Sequence, residues 1–295
     1  MSFRVLPGKT PDLLPRADDA RAGRAQTGRM TVLPFRFGAV VGRNAPAAVW
    51  ADTARTIEGA GFATLLVPDT LATPSPFPAL AVAAAATSSL RLGTWVLAAP
   101  LRTPGAVVRE AQTLQTLSAG RLELGIGAGR PGGERDAPPL GAEWGRPGIR
   151  VGQVEAAIEA VRAGVDPAPR IVMAGSGDRM LRIAARHAQT LALPASPTAS
   201  VDEIAATADR ARAAGFTGEL SLQIAGIGDD IPAWLRSQGM TPEHVRGRAA
   251  FLSGDVDADE ASLRALRDRA GISYLTVSGE FAARVAPLVQ RLTGR

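Results

Sequence analysis

The chain has 295 residues, 46% hydrophobic and 21% charged, the balance of a soluble globular protein with a sizeable core, and α/β barrels of this length fold as one domain. It has no cysteine and two histidines, which excludes disulfides, thiolate metal sites and a cysteine nucleophile, and leaves a Ser-His-Asp triad or histidine metal site only His187 and His244. The net charge of +5 sits largely in residues 1–30, which carry six basic against three acidic side chains; no basic block with interleaved aromatics marks a nucleic-acid surface, and no apolar run of about eighteen residues or export h-region marks a membrane segment.

Residues 1–30 are polar and rich in Pro, Gly and Arg, so they are expected to be a disordered or loosely packed extension of a cytoplasmic protein, with Met30 a candidate start and 31–295 the folded domain. From there eight β-rich runs recur, at 35–41, 63–67, 90–97, 122–126, 171–174, 190–193, 219–225 and 272–277. Between them lie apolar residues at helical spacing, such as Val107/Ala111/Leu114, Val154/Ile158/Val161 and Leu263/Leu266/Ala270. Thr103-Pro104 reads as a helix start, and Gly61, Gly120, Gly215 and Gly271 each follow Ala where a helix should stop before a strand. Strand and helix alternating eight times predict a single (β/α)8 TIM barrel rather than an open doubly wound sheet, and the chemistry of such a barrel lies where strands end and βα loops begin.

Five segments fall at those ends. Val67-Pro68-Asp69-Thr70 puts a carboxylate after the second strand, either to meet a bound ring or simply to cap a turn. Thr94, Trp95 and Val96 close the third strand, where Trp95 either walls a flat cofactor or fills the barrel. Gly125-Ile126-Gly127-Ala128-Gly129-Arg130 imitates a dinucleotide fingerprint, but the following Pro131-Gly132-Gly133 forbids the helix that fingerprint requires; the glycines instead let backbone approach a flat ligand. Gly175-Ser176-Gly177-Asp178-Arg179-Met180 joins a strand to a helix, as a phosphate cradle or a plain tight turn. The loop 130–148 is long enough for a lid, and Glu134 or Asp136 in it is either a proton donor or a solvated carboxylate. His187 and His244 read as helix residues without a chemical role.

These pieces together resemble the luciferase-like oxidoreductases, which use reduced FMN or the deazaflavin coenzyme F420. The resemblance covers 35–292 and rests on Arg36-Phe37-Gly38, on Gly61-Phe62 leading to Val67-Pro68-Asp69, on Leu90-Arg91-Leu92-Gly93-Thr94, on the block 117–129 and on Ala174-Gly175-Ser176-Gly177 with Arg179-Met180. It implies a cofactor ring against Asp69, Thr94, Trp95, Val96, Gly127, Ala128, Gly129 and Arg130, with its phosphate at Gly175, Ser176, Gly177, Arg179 and Met180. It also implies a non-proline cis peptide at Trp95-Val96, a catalytic role for Asp69, a homodimer and a small organic substrate, while the loop reading adds Glu134 as a catalytic candidate and the composition leads us to expect no metal. Hydride transfer with F420 is the expected activity, with an FMN-dependent monooxygenase fed by a separate reductase, or a non-catalytic flavin-binding barrel, as the alternatives. The sequence departs from the family pattern at Thr70, where histidine is common, at Arg130 and Arg135, and in a shortened connection between the fourth helix and fifth strand.

Overall fold

The computed structural model describes residues 33–295, so the expectation for the extension 1–30 lies outside the described residues. Eight parallel strands form the sheet: β1 (Arg36–Val40), β2 (Thr64–Val67), β3 (Arg91–Thr94), β4 (Leu122–Gly127), β5 (Arg170–Ala174), β6 (Thr190–Ala192), β7 (Glu219–Ile224) and β8 (Ile272–Ser278). They run in the spatial order β3-β2-β1-β8-β7-β6-β5-β4, and β3 pairs with β4 through Leu92↔Leu122 and Gly93↔Glu123, which closes the barrel. Every expected strand is present with its ends moved by at most one residue, the third excepted.

That third strand breaks at Trp95-Val96. Pairing with β4 resumes at Leu97↔Ile126, five positions along this strand against four along its neighbour, so one residue is extra and the strand bulges. The Trp95-Val96 peptide is cis, as the resemblance implied. The bulge presses the Thr94 carbonyl onto β4, where a Cβ on Gly125 would lie 2.0 Å from that oxygen. Only glycine fits there.

Eight helices wrap the sheet: α1 (Ala47–Gly59), α2 (Pro76–Ala86), α3 (Pro104–Leu117), α4 (Pro147–Gly164), α5 (Asp178–His187), α6 (Val201–Ala213), α7 (Val256–Ala270) and α8 (Ala282–Leu292). Thr103 caps α3 by accepting from the Ala106 N–H at 3.2 Å. Gly61, Gly120, Gly215 and Gly271 all turn the chain out of a helix with positive φ. Residues 165–169 alone join α4 to β5, the expected short connection. Between β7 and α7 the chain makes an excursion that strand-helix alternation does not reveal, with a two-residue ladder of Gly226–Ile227 on Phe251–Leu252 and a small apolar cluster of Ile231, Leu235, Val245, Ala250 and Phe251. Among the described residues, no helix is long and apolar enough to cross a membrane.

Alternate strand residues face either the helices or the barrel interior. Outward residues such as Leu65, Val67, Leu124, Met173, Leu220 and Leu275 pack on Ile57, Leu80, Ile158, Ile183 and Leu266 in one continuous core. Several inward residues at the N-terminal ends of the strands are charged. Arg36 of β1 donates to Glu219 of β7 at 2.8 Å and to Glu123 of β4 at 2.9 Å, and Arg91 of β3 donates to Glu123 at 2.7 Å. Strands that are not neighbours meet this way only across the interior. Burial pushes the Glu123 carboxyl up, but Arg36, Arg91 and Arg170 outweigh it and hold the group below its ordinary value. The Arg36 guanidinium also lies 3.7 Å from the centre of the Tyr274 ring, and Gly38 leaves room for that ring, since a Cβ there would be 2.5 Å from the Tyr274 hydroxyl. This ionic floor seals one end of the barrel.

Candidate active site

At the opposite end, where the strands terminate, the mouth divides into two lobes. The first is a cavity of about 530 Å³ bounded by the ends of β2 to β5 and by the loop 130–148. The second, about 540 Å³, is bounded by the ends of β5 to β8 and the excursion after β7. Trp95, Val96, Ala174 and Pro194 belong to both and form the partition. Each lobe is of the size that takes a small molecule or one end of a cofactor.

Asp69, Trp95, Val96, Gly127, Ala128, Gly129, Arg130, Gly175 and Ser176 all line the first lobe. The remaining predicted positions stand elsewhere. Thr94 is fully buried and gives its hydroxyl to the Gly125 carbonyl at 2.7 Å. Glu134 is exposed and does not line the cavity, whereas Asp136, two residues on, is buried and does. Gly177 precedes α5 at the surface, and Arg179 on the first turn of that helix donates to the Gly148 carbonyl at 2.9 Å, tying α5 to α4. Met180 is buried and packs against Gly175.

The ionisable groups of the first lobe are already paired. Asp69 accepts two hydrogen bonds from Arg102, at 2.8 and 2.9 Å, and a third from the Ala98 N–H at 3.1 Å. The carboxylate thus clasps the segment that follows the bulge. Burial alone lowers the Arg102 pKa, but Asp69 and Glu110 reverse the sign and raise it. Arg130 pairs with Asp136 at 3.0 Å. Thr70 carries a hydroxyl 3.2 Å from that of Thr73.

Trp144 covers the glycine run. Gly129 has φ +87°, and a Cβ on it would lie 2.2 Å from the Trp144 ring, so the indole rests directly on bare backbone. Arg150 holds the indole from behind, its guanidinium 4.9 Å from the ring centre while its Nε donates to the Ala128 carbonyl at 2.9 Å. At the start of α5, Asp178 pairs with Arg210 at 2.7 Å, and Arg210 also donates to the Ser176 carbonyl at 3.0 Å. The first N–H groups of α5 leave a partial positive end near Ser176, while the charge of Arg210 is taken up by Asp178.

Neither histidine lines these lobes. His187 lies at the end of α5 near Glu155 and Glu159, where Arg186 already pairs with Glu155. His244 caps a short surface turn. Sequence reasoning passed over Arg102, Arg150 and Gln223. The signal for Gln223 was present: Glu219, Ser221 and Gln223 are polar at every second position of a buried strand, and such residues face the barrel interior.

A closed (β/α)8 barrel with a two-lobed mouth at the strand ends has the architecture of the barrel enzymes, whose chemistry lies at that face. The family model for luciferase-like monooxygenases matches residues 29–226, and the chain belongs to that family. Over 109 residues it is 38% identical to the phthiodiolone/phenolphthiodiolone dimycocerosates ketoreductase of Mycobacterium kansasii, covering 37% of this chain and 28% of that protein. Over 96 residues it is 40% identical to the F420-dependent glucose-6-phosphate dehydrogenase of Beutenbergia cavernae, covering 30% of this chain and 28% of that one. The matched stretches thus span under a third of these relatives. Likeness of fold extends to an F420-dependent secondary alcohol dehydrogenase in complex with an F420-acetone adduct, with a TM-score of 0.71 at 13% identity over 88% of this chain and 99% of that one. It also extends to a riboflavin lyase with modified FMN, with a TM-score of 0.69 at 14% identity over 88% and 92%.

Proposed function

We propose that this protein is an F420-dependent oxidoreductase that moves hydride between the deazaflavin and a small organic substrate. The observation that carries this reading is the pair of lobes meeting at Trp95-Val96, one floored by backbone and the other walled by apolar side chains. A tricyclic ring fits the first lobe between Trp95, Val96 and Ala128, because the bare backbone of Gly127 and Gly129 lets Val96 and Trp144 pack close and leaves the cavity between them. F420 is preferred to FMN because the curated relatives are named as ketoreductases and an F420-dependent dehydrogenase.

In this reading Trp95, Val96 and Ala128 hold the ring, and Gly175, Ser176 and the N–H groups opening α5 hold its phosphate. Asp69 keeps the wall after the bulge in place through Arg102, and Trp144 with the Arg130–Asp136 pair excludes water from above. The deazaflavin, when bound, supplies the two-electron hydride chemistry that no side chain here can perform.

The test is titration of the full chain with oxidised F420 and with FMN, followed by absorbance and fluorescence. Binding of F420 at least tenfold tighter than FMN, about 1.4 kcal/mol, supports the proposal. Tight FMN with oxygen uptake by its reduced form makes the protein a flavin monooxygenase instead. Failure of both to bind removes the first lobe as a cofactor site.

A further inference from the structure

The second lobe has a chemistry of its own, carried by Gln223. Its side chain reaches the mouth from β7, and its Oε1 accepts the Trp95 indole N–H at 3.2 Å. The indole nitrogen is a donor only, so it fixes which end of the carboxamide it meets. The oxygen faces Trp95, and the NH2 group is therefore presented to the lobe. Across the β7–β8 ladder, Gln223 is in register with Thr276, a fully buried residue whose hydroxyl has no hydrogen-bond partner. Thr276 stays beneath the surface and does not line the lobe, so the Gln223 amide is the group that faces it beside Trp95.

Apart from Gln223, Ser278 and Glu280, the side chains lining the lobe are apolar, among them Leu193, Pro194, Leu222, Ile224 and Pro232. Among the described residues lining it, Glu280 is the one ionisable group, held by the Ser278 hydroxyl at 3.2 Å, and no cation is present. An anionic substrate would meet a carboxylate with no counter-ion and lose its hydration. A neutral molecule with one strong acceptor would satisfy the Gln223 amide and bury its remainder against the apolar wall.

We infer that the second lobe binds uncharged, largely apolar carbonyl compounds, with the carbonyl oxygen accepting from the Gln223 amide beside Trp95. This deepens the reading above and rests on it only for the use made of the bound molecule. Gln223 acts here as a specificity residue, and Trp95 aims it.

The experiment measures binding of three fluorinated probes of similar size to the full chain by 19F NMR: 4-fluoroacetophenone, 4-fluoroethylbenzene and 4-fluorobenzoate. The ketone should bind about fivefold tighter than the hydrocarbon, the scale of one neutral hydrogen bond, and the benzoate weakest of all. Gln223→Met, which keeps the shape and removes the donor, should erase the ketone preference while leaving hydrocarbon binding and the melting temperature unchanged. Trp95→Phe should reduce the preference by freeing the amide, and Ala195→Phe should displace every probe by filling the lobe. Equal binding of ketone and hydrocarbon by the parent, a preference that survives Gln223→Met, or benzoate binding as well as ketone would each overturn the inference. So would failure of all three probes to bind. F420 titration of the same samples separates the two readings: F420 binding without ketone binding sinks this inference alone, and ketone binding without F420 binding sinks the cofactor alone.

Discussion

Removing the Asp69 carboxylate should cost stability before it costs affinity. The group accepts two N–H bonds from Arg102 and one from Ala98, and the two side chains are only 11% and 16% exposed. Truncation strands the Arg102 cation, and a fully buried pair broken in this way costs roughly 3–5 kcal/mol. Here Glu110 still holds Arg102 at 2.9 Å and some solvent reaches the site, so Asp69→Ala should cost about 2–3 kcal/mol. For a chain of this size that lowers Tm by roughly 5–10 °C in a thermal melt. Adding Arg102→Ala should recover part of the loss, leaving a coupling of about 1–2 kcal/mol in the double-mutant cycle. F420 affinity, measured on the same samples, should fall by less than about tenfold. If Asp69→Ala melts with the parent and loses F420 affinity by tenfold or more, the carboxylate serves the bound molecule and the clasp is incidental.

Two further outcomes follow from local geometry. Gly125→Ala forces a methyl group against the Thr94 carbonyl, where a Cβ has 2.0 Å, and should destabilise the barrel by about 3 kcal/mol, read from urea unfolding; a cost under about 1 kcal/mol would mean that the bulge relaxes freely. Glu58, whose Oε1 accepts the backbone N–H groups of Ser88, Ser89 and Leu90, has a folded pKa of about 2, since those bonds outweigh the upward push of desolvation. Its pKa is depressed on folding, so its contribution is complete above the ordinary value of 4.5 and is lost as pH falls towards 2. The Tm gap between the parent and Glu58→Gln should therefore be widest near neutrality and close over that window; a gap independent of pH would show that the charge plays no part.

The barrel was legible in the sequence because its signals are local and repeated. Runs such as 122–126 and 272–277 are β-rich and mostly apolar, as strands buried between helices and a filled interior are, and the Ala-Gly stops at Gly61, Gly120, Gly215 and Gly271 mark where helices give way to strands. The excursion after β7 was not legible, because its strands are two residues long and its apolar residues pack on one another without a period. Of the site, the glycine run and Gly175-Ser176 were readable since backbone exposure needs glycine or small residues at strand ends. Glu134 and Asp136 were indistinguishable as loop carboxylates, and only the fold of 130–148 separates the exposed one from the buried one. The Asp69–Arg102 clasp joins residues 33 positions apart, and nothing in either local sequence announces the partner.

The ionic floor of Arg36, Glu123 and Glu219 makes the barrel a blind well. Access to both lobes is from the end opposite this floor, and the two share the wall of Trp95, Val96, Ala174 and Pro194. A change in any of those four residues therefore alters both lobes at once.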